Sequence, residues 1–447
     1  MNDVSVHVGG RNVGTLSKEG SKFVFTYQTG TKAEDFVSLT MPVRSESWVW
    51  EGSPHPFFQM NIPEGYSRQL LERKLATWIT SDPIALLGVI GQNMIGRVTF
   101  YPTQKTGPTG LINPLVSSFN IQDLIENRNA EAAFQRLLEG VQNSGVSGVV
   151  VKALMEEKIP KATLINNNCI IKGTPSEMPF AAINEHLCLK AVSRAMPAAK
   201  TQITMDGKCL VIERFDRSST SVPMGMEDFC SIMGNIPGQK YDTTWEKIIK
   251  SAKYHIPTEK RHEFFKKLLK LFFFSYALRN GDCHSKNIAL LYSSKQDVDL
   301  SPVYDMLTTQ VFPNAEDNPP GLMIGGKKTW SPGKSIIKTF VQLLNIHSHE
   351  QNEILGEVIQ ATADTIPDVK QKMEEFPEFK EMGQKILHTW NDGVNGLIDK
   401  KTYSLGRWIA TPEIEEINDS REKSKMKVIG VSEGLGVRGK RMRNRIS

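Results

Sequence analysis

The stretch "LLKLFFFSYALRNGDCHSKNIALLY" (268–292) joins one of the most apolar parts of the chain to a short run of reactive side chains. Apolar residues recur at helical spacing from Phe264 to Ala277, and this pattern predicts a buried helix. We expect the helix to begin near Thr258 and to end at Gly281, in the C′ position that favours glycine. Because a rigid, buried helix would fix the loop that follows it, this loop is the first candidate for a functional site.

The loop "RNGDCHSKN" (279–287) offers a carboxylate, a thiol, an imidazole, an amine and an amide. Three interpretations compete: a zinc site, a solvated turn and a phosphoryl-transfer loop. Cys283 and His284 lack a second ligand pair at the spacing typical of zinc sites, which weakens the first. The five cysteines are scattered, odd in number and never form CxxC, which favours reduced, buried thiols over a disulfide framework.

The length and composition predict an ordinary globular protein. With 447 residues the chain is long for one hydrophobic core, so two or more domains are expected. The first residues, "MNDVSVHVGG", lack the basic region followed by an apolar region that is typical of a secretory signal. The apolar run 268–278 is too short to cross a bilayer and contains Lys270. We therefore expect a cytoplasmic protein with no membrane partner.

The net charge of +5 is unevenly distributed. The segment 421–447 has nine basic and two acidic side chains, a net +7 that leaves −2 for the other 420 residues. The body of the protein is therefore close to neutral. The basic tail is typical of a flexible, solubilising end, and the alternative is an arm that binds nucleic acid or another polyanion.

The first hundred residues predict a small β-rich unit. The segment "VSVHVGGRNVGTL" (4–16) has two alternating apolar runs joined by a Gly-Gly turn, which predicts a hairpin. "KFVFTY" (22–27) predicts a third strand, and 86–102 contains one more that ends at its proline. The stretch 103–114 is rich in Gly, Pro and Thr, as linkers are, and we place the first domain boundary there.

From about residue 140 the order of the parts becomes informative. A small-residue loop, "SGVSGVVVKAL" (144–154), runs into a strand. A hairpin follows over 162–172 and places Lys172 at its end. The helix 181–196 then carries Glu185.

A second hairpin, with an Asp-Gly turn, ends in "ERFD" (213–216). The core helix and the polar loop come next. "NIALLY" (287–292) and "VDLSPVYD" (298–305) then predict another hairpin, the second strand of which ends at Asp305.

This order of parts is the one that kinase-type phosphoryl transfer needs, because that reaction requires positioned Mg-ATP and compensation of developing charge. Asp282 and Asn287 have the D-x4-N spacing of protein-kinase catalytic loops. The acid can accept the proton of an attacking hydroxyl, and the amide offers an oxygen to Mg²⁺. Asp305 would be the second metal ligand. Lys172 would bind phosphates and be held by Glu185.

Seven segments together resemble, in this order, the motifs of HipA-type serine/threonine kinase toxins. The N-terminal "LLGVIGQNMIGRVTFYP" and "NIPEG" are similar to the small N-terminal subdomain of that family, so the resemblance covers about residues 1–410. The seven segments are "VSGVVVKAL", "IIKGTP", "NEHLCL", "VIERFDR", "EDFCSIMG", "NGDCHSKNIALL" and "LSPVYDML".

The resemblance implies Asp282 as catalytic base and Asn287 and Asp305 as Mg²⁺ ligands. It also implies a nucleotide loop at 147–152 and a hinge at 213–215 that meets adenine through the backbone. Two basic side chains between the acid and the amide would contact phosphates. The complete nucleotide-binding set is Ser147, Gly148, Val149, Val150, Val151, Lys152, Lys172, Glu213, Arg214, Phe215, His284, Lys286, Asn287 and Asp305.

The implied fold is α+β, a bilobal protein-kinase-like fold with a small N-terminal β-rich subdomain and a mainly helical C-terminal lobe. We expect the N-terminal subdomain at 1–115 and the kinase N-lobe with its nucleotide loop at 116–218. The helical C-lobe, with the catalytic loop and metal site, is expected at 219–412, and the basic tail at 413–447.

The implied function is that of an ATP-dependent serine/threonine protein kinase toxin of a toxin–antitoxin pair, with ATP and Mg²⁺ as cofactors. Its substrate would be a cytosolic protein of the aminoacyl-tRNA synthetase class, and the outcome growth arrest and persistence. A helix-turn-helix antitoxin would bind it and bring it to operator DNA. The resemblance leaves a homodimer open.

The chain departs from the family pattern in its nucleotide loop. Family members commonly autophosphorylate a serine at the position that is Gly145 here, flanked by Ser144 and Ser147, so self-inhibition would use either serine or neither. Val150 and Val151 stand where relatives usually have a polar residue or proline. The alternative function is a weakly active kinase-fold binding module that acts as a DNA-bound co-repressor with its antitoxin. A kinase for lipids or small molecules would use the same ATP site.

Overall fold

The first part of the chain folds as an antiparallel five-stranded sheet, in the order β4-β3-β2-β1-β5. Val4, Val6 and Val8 are buried on one face of β1, and Gly9 and Gly10 turn the chain with φ of 56° and 81°. The predicted Gly-Gly hairpin is therefore confirmed. The elements are β1 Asp3–Val8, β2 Arg11–Glu19, β3 Lys22–Tyr27, β4 Trp48–Glu51 and β5 Val98–Pro102, with helices α1 Pro56–Gln59 and α2 Pro83–Ile90. The computed structural model describes residues 3–60, 62, 82–103, 120–136, 163–165, 168–217, 223–330, 339–340 and 342–398.

A second antiparallel sheet has the order β6-β7-β9-β8. Both predicted hairpins are present in it, and Gly207 supplies the positive φ (69°) at the turn of the second. The helix between the hairpins packs its apolar residues into the main core. The elements are α3 Ile121–Ile125, β6 Thr163–Ile165, β7 Cys169–Gly173, α4 Ala181–Ser193, β8 Thr201–Ile203 and β9 Cys209–Glu213.

The rest of the described chain is mainly helical, with one small sheet in the order β10-β11-β12. The phenylalanine-rich helix α7 crosses the centre of the largest core cluster, and its predicted apolar stripe is buried. This helix is the rigid support of the polar loop. The elements are β10 Gly225–Asp228, α5 Phe229–Ile232, α6 Trp245–His255, α7 Arg261–Ala277, β11 Ala289–Ser294, β12 Asp297–Leu300, α8 Ser348–Ala363, α9 Ile366–Glu375 and α10 Lys380–Leu397.

Two predicted boundaries around the loop are wrong. The left-handed residue after α7 is Arg279 (φ 54°), not Gly281. Long-range contacts hold Arg279 there, because its guanidinium donates to the carbonyl of Asp392 and lies over the ring of Trp330. The second strand of the hairpin ends at Leu300, so Asp305 lies in the following loop with a φ of 54°. At Arg279, tertiary contacts overrule the local sequence pattern.

The predicted fold class is confirmed: a β-rich N-terminal subdomain precedes a two-lobed body with a helical second lobe. All three predicted domain boundaries, near residues 115, 218 and 412, lie outside the described residues and stay predictions. So does the proposed role of the tail at 413–447. In the part of the chain that the structure describes, no helix has the length and apolarity needed to cross a membrane.

The N-terminal sheet is joined to the body through a buried carboxylate. Glu227, on β10, accepts hydrogen bonds from the hydroxyl of Ser38 and the backbone N–H of Leu39, each at 2.7 Å. The hydroxyl of Tyr292 donates to the same carboxylate at 2.6 Å. Burial raises the pKa of Glu227 to about 7, although these three donors act in the opposite direction. A titratable group therefore lies at the contact between the two units.

We expect Glu227→Gln to flatten the pH dependence of stability. Because the pKa of Glu227 is higher in the folded chain, its stabilising effect is complete at low pH and is lost as pH rises through about 7. The loss in the wild type is expected to reach at most about 3 kcal/mol. Glutamine keeps the shape and can donate to Ser38. Urea unfolding between pH 5 and 8 measures the slope, with exposed Glu374→Gln as control, and equal slopes in all three proteins would contradict the prediction.

Candidate active site

The polar loop after α7 is fixed by hydrogen bonds of its main chain and of the Asn280 and Ser285 side chains. Asn280, inside the loop, caps the N–H of Asp282 at 3.0 Å. Other anchors come from three distant segments. They are Thr309 (Oγ1 accepting from Gly281 N, 2.8 Å), Lys240 (O accepting from Ser285 Oγ, 2.7 Å) and Tyr304 (hydroxyl donating to Lys286 O, 2.7 Å).

Asp282 and Asn287 belong to one hydrogen-bonded turn. The amide Nδ2 of Asn287 donates to the carbonyl oxygen of Asp282 at 3.0 Å, and the N–H of His284 donates to the same oxygen at 2.9 Å. These bonds use the main chain of Asp282, while its half-buried carboxylate accepts a hydrogen bond from the hydroxyl of Tyr241. The D-x4-N motif is therefore a compact structural unit.

Lys172 connects two carboxylates from distant parts of the chain. Its Nζ lies 2.7 Å from Oε1 of Glu185 on α4 and 2.7 Å from Oδ1 of Asp305. The Glu185 side chain is only 4% exposed, so its charge needs a partner. Burial lowers the pKa of Lys172, but the carboxylates of Asp305 and Glu185 outweigh burial and raise the pKa above its ordinary value. The two carboxylates therefore favour the charged form of this ammonium, which lies near the end of β7.

His284 is a buried imidazole beside Asp282. Burial lowers its pKa, against the opposing effects of Asp282 and Asp305, and nearby Lys240 lowers it further. Its Nε2 lies 3.7 Å from Oδ1 of Asp282. Within the described residues, its buried Nδ1 has no hydrogen-bond partner. Burial therefore favours the neutral form of this imidazole.

Tyr304 connects the segment after β9 to the polar loop. Its ring packs against Phe215 with centroids 5.9 Å apart, and its hydroxyl donates to the carbonyl of Lys286. Asp305 is the next residue. The segment 213–215, the loop and Asp305 thus meet around one aromatic side chain.

The sheet already uses two N–H groups of the predicted hinge. The N–H of Glu213 donates to the carbonyl of Lys200, and that of Arg214 donates to the carbonyl of Asn168, both at 2.9 Å. The Glu213 side chain is exposed, 3.6 Å from the Lys200 ammonium. A backbone contact with adenine would have to use other groups of this segment.

The Arg214 side chain binds to the N-terminal subdomain. It is fully buried, pairs with Asp216 at 2.6 Å and donates to the carbonyl of Met94 at 2.7 Å. The N–H of Gly96 donates to the same Asp216 carboxylate. Any nucleotide contact of Arg214 is therefore left to its main chain.

The remaining predicted site residues lie outside the described residues. They are Ser144, Ser147, Gly148, Val149, Val150, Val151 and Lys152.

The described side chains suit Mg²⁺ with a polyphosphate. Asn287 donates through its amide nitrogen, so its oxygen could face a metal ion, and Asp305 could supply a carboxylate. Two such hard oxygen ligands are what Mg²⁺ takes from a protein when phosphate oxygens and waters complete its shell. Among the described residues there is no group of three or more His, Cys, Asp or Glu side chains that could hold a metal ion. Burial raises the pKa of the Cys283 thiol to about 12, so it is neutral.

Tyr241 is not among the site residues predicted from the sequence. It lies in "GQKYDTTW" (238–245), which has no recognisable motif, and it reaches Asp282 from 41 residues away. No local signal could have identified it, because only the folded chain brings the two side chains together.

Comparisons with known proteins show which family this chain resembles. The family model described as the HipA-like C-terminal domain matches residues 144–369, and the HipA N-terminal domain model matches residues 4–101. "Putative kinase Y4dM" of Sinorhizobium fredii is 26% identical over 285 residues, or 59% of this chain and 64% of that protein. A Haemophilus influenzae protein described as "Putative kinase" is 27% identical over 38% of this chain and 54% of its own length. The chain thus matches less than two thirds of each of these two relatives.

A solved structure has the same fold. HipA of Shewanella oneidensis MR-1, determined in complex with HipB and its operator DNA, superposes with a TM-score of 0.64 at 17% identity. The match covers 93% of this chain and 99% of that one.

Proposed function

The chain belongs to the HipA family, and on that premise we propose that it is an ATP-dependent serine/threonine protein kinase toxin. The observation that carries the proposal is the junction of Lys172 with Glu185 and Asp305 at 2.7 Å, since protein kinases pair a strand lysine with a helix glutamate and hold Mg²⁺ with an aspartate. The junction belongs to the same site as the Asp282–Asn287 turn, because Tyr304, the neighbour of Asp305, binds that loop.

Mg-ATP would supply the transferable phosphoryl group and the cation that neutralises its charge. Asn287 and Asp305 would hold Mg²⁺, and Lys172 would bind phosphate oxygens. Asp282 would orient the acceptor hydroxyl and take its proton. The loop 147–152 and the main chain at 213–215 would complete the nucleotide site, with Lys286 and His284 near the phosphates.

Partners follow from the family in the same way. We propose that the chain binds a helix-turn-helix antitoxin and reaches operator DNA through it, by analogy with the complex of HipA, HipB and operator DNA. Its substrate would be a cytosolic protein of the aminoacyl-tRNA synthetase class, phosphorylated in the cytoplasm with growth arrest as the result. Self-inhibition would use Ser144, Ser147 or neither, and a homodimer is compatible with the proposal.

Calorimetric titration with Mg-ADP tests the nucleotide site. We expect binding by the wild-type chain and at least about tenfold weaker binding by Asp305→Asn, because the variant loses a charged metal ligand. Equal affinity in both proteins, with and without Mg²⁺, would contradict the assigned metal site.

A phosphoproteome after expression tests the activity. We expect new phosphoserine or phosphothreonine on a cytosolic protein with the wild type and none with Asp282→Asn. A chain that binds no nucleotide and yields no phosphoprotein would instead be a co-repressor module. If phosphate is found only on lipids or small molecules, the protein is a kinase for that class of acceptor.

Gly321→Ala is expected to lower phosphoryl transfer about 10- to 100-fold. A Cβ on Gly321 would lie 2.4 Å from the carbonyl oxygen of Cys283, so the loop backbone must move. Displacement of a catalytic group by about 1 Å can cost about 100-fold in rate. Steady-state kinetics measure the effect.

Gly238→Ala is the matched control, because a Cβ there meets nothing within 4 Å. We expect it to keep wild-type rates. Unchanged rates in Gly321→Ala would mean that the loop tolerates the shift.

A further inference from the structure

Tyr241 occupies the position of a phosphoryl acceptor. Its phenolic hydroxyl donates to Oδ1 of Asp282, the carboxylate that accepts the acceptor's proton under the proposed function. The contact is not incidental, because the neighbouring Lys240 is bound to the loop: its carbonyl accepts from both the N–H (3.1 Å) and the hydroxyl (2.7 Å) of Ser285. The backbone beside Tyr241 and the catalytic loop are therefore one hydrogen-bonded unit.

We propose that Tyr241 is a modification site, phosphorylated in cis by the chain's own kinase site. This inference rests on the proposed function. The bond between the β,γ-bridging oxygen and the γ-phosphorus of ATP breaks, and a bond forms from that phosphorus to the phenolic oxygen. The phenolic proton passes to Asp282, and ADP leaves.

The surroundings of the ring suit a phosphorylated product. The ammonium groups of Lys240 and Lys328 lie 5.5 and 5.8 Å from the ring centroid, so two cations are available to compensate a phosphate dianion. His284 packs edge-on with centroids 5.0 Å apart and orients the ring. Tyr241 is 39% exposed, which leaves room for three additional oxygens.

Accessibility alone would select a different tyrosine. Tyr254 is 87% exposed, twice as much as Tyr241, and lies on α6. The hydrogen bond of Tyr241 to Asp282 is what makes it the expected acceptor. Tyr254 is therefore a matched control for random or intermolecular labelling.

Peptide mass spectrometry of the full chain after incubation with Mg-ATP tests the inference. We expect phosphate on the peptide that contains Tyr241 and none on the peptide that contains Tyr254. Tyr241→Phe should lose this phosphate, whereas Tyr254→Phe should keep the wild-type rate. The first-order rate constant should stay the same over an about tenfold range of protein concentration, because the acceptor is already positioned by its own chain. A tagged Asp282→Asn chain mixed with the wild type should remain unmodified at Tyr241.

Two results would overturn the inference in distinguishable ways. Phosphate on Ser144, Ser147 or a foreign substrate, with Tyr241 unmodified, would refute it and leave the proposed function intact. No phosphoryl transfer to any acceptor, from a chain that is folded, would refute both. Modification of Tyr241 in the tagged Asp282→Asn chain would show that the reaction occurs between molecules and would refute its cis character.

Discussion

Asp282→Asn is expected to lower the rate of phosphoryl transfer about 1,000-fold, within the range that a general base contributes. An amide cannot accept the proton of the attacking hydroxyl. The loop should keep its conformation, because its hydrogen bonds use the main-chain N–H and carbonyl of Asp282 rather than the carboxylate. Single-turnover kinetics with Mg-ATP measure the rate.

The same variant should bind Mg-ADP within about twofold of the wild type, because it removes no metal ligand. Asp299→Asn serves as control: this half-exposed aspartate on β12 pairs with Lys267 of α7 and should leave transfer unchanged. A rate for Asp282→Asn close to that of the wild type would show that another group takes the proton, and the role assigned to the motif would fail.

Lys172→Met is expected to abolish most activity and to lower the free energy of unfolding by about 3 kcal/mol. The buried carboxylate of Glu185 and that of Asp305 would lose their shared cation, and removing one partner of a buried ion pair typically costs about 3–5 kcal/mol. We take the lower end of this range because Lys172 and Asp305 are partly exposed to solvent. Urea unfolding and Mg-ADP titration measure the two effects.

A double variant separates the structural and chemical roles of Lys172. Adding Glu185→Gln to Lys172→Met removes one of the two uncompensated charges, so most of the lost stability should return. Activity should not return, because the ATP phosphates would still lack the lysine cation. If the double variant is as unstable as Lys172→Met alone, the ion pair does not explain the destabilisation.

The parts of the candidate site that lie close together in the sequence could be predicted. Asp282 and Asn287 are five residues apart, and one turn of backbone is enough to bring them together. The hairpin that ends near Lys172 could be predicted because it depends on short-range turn chemistry and alternation. The order of these parts along the chain then indicated a kinase-like site, without any knowledge of tertiary contacts.

The wrong boundaries have a physical cause. Glycine at position 281 was expected in the left-handed region, yet a Cβ there would instead come within 3.0 Å of Thr309 Oγ1 and Pro319 O. Glycine at position 281 is therefore needed for close packing. Arg279 takes the left-handed conformation instead, because Asp392 and Trp330 hold its side chain. Both groups come from far along the chain, so no window of sequence could include them.

The amino-acid sequence by itself determined the periodic helix α7, the hairpins, the spacing of the acid and the amide, and the order of the kinase-like parts, because each depends on residues within a turn or two of one another. Only the tertiary structure decided that Lys172 meets Asp305 across 133 residues and that Tyr241 reaches Asp282. Pairs so distant in the chain meet only once the apolar faces of several elements are buried together. The contacts that assemble the site are therefore a product of the whole core rather than of any motif.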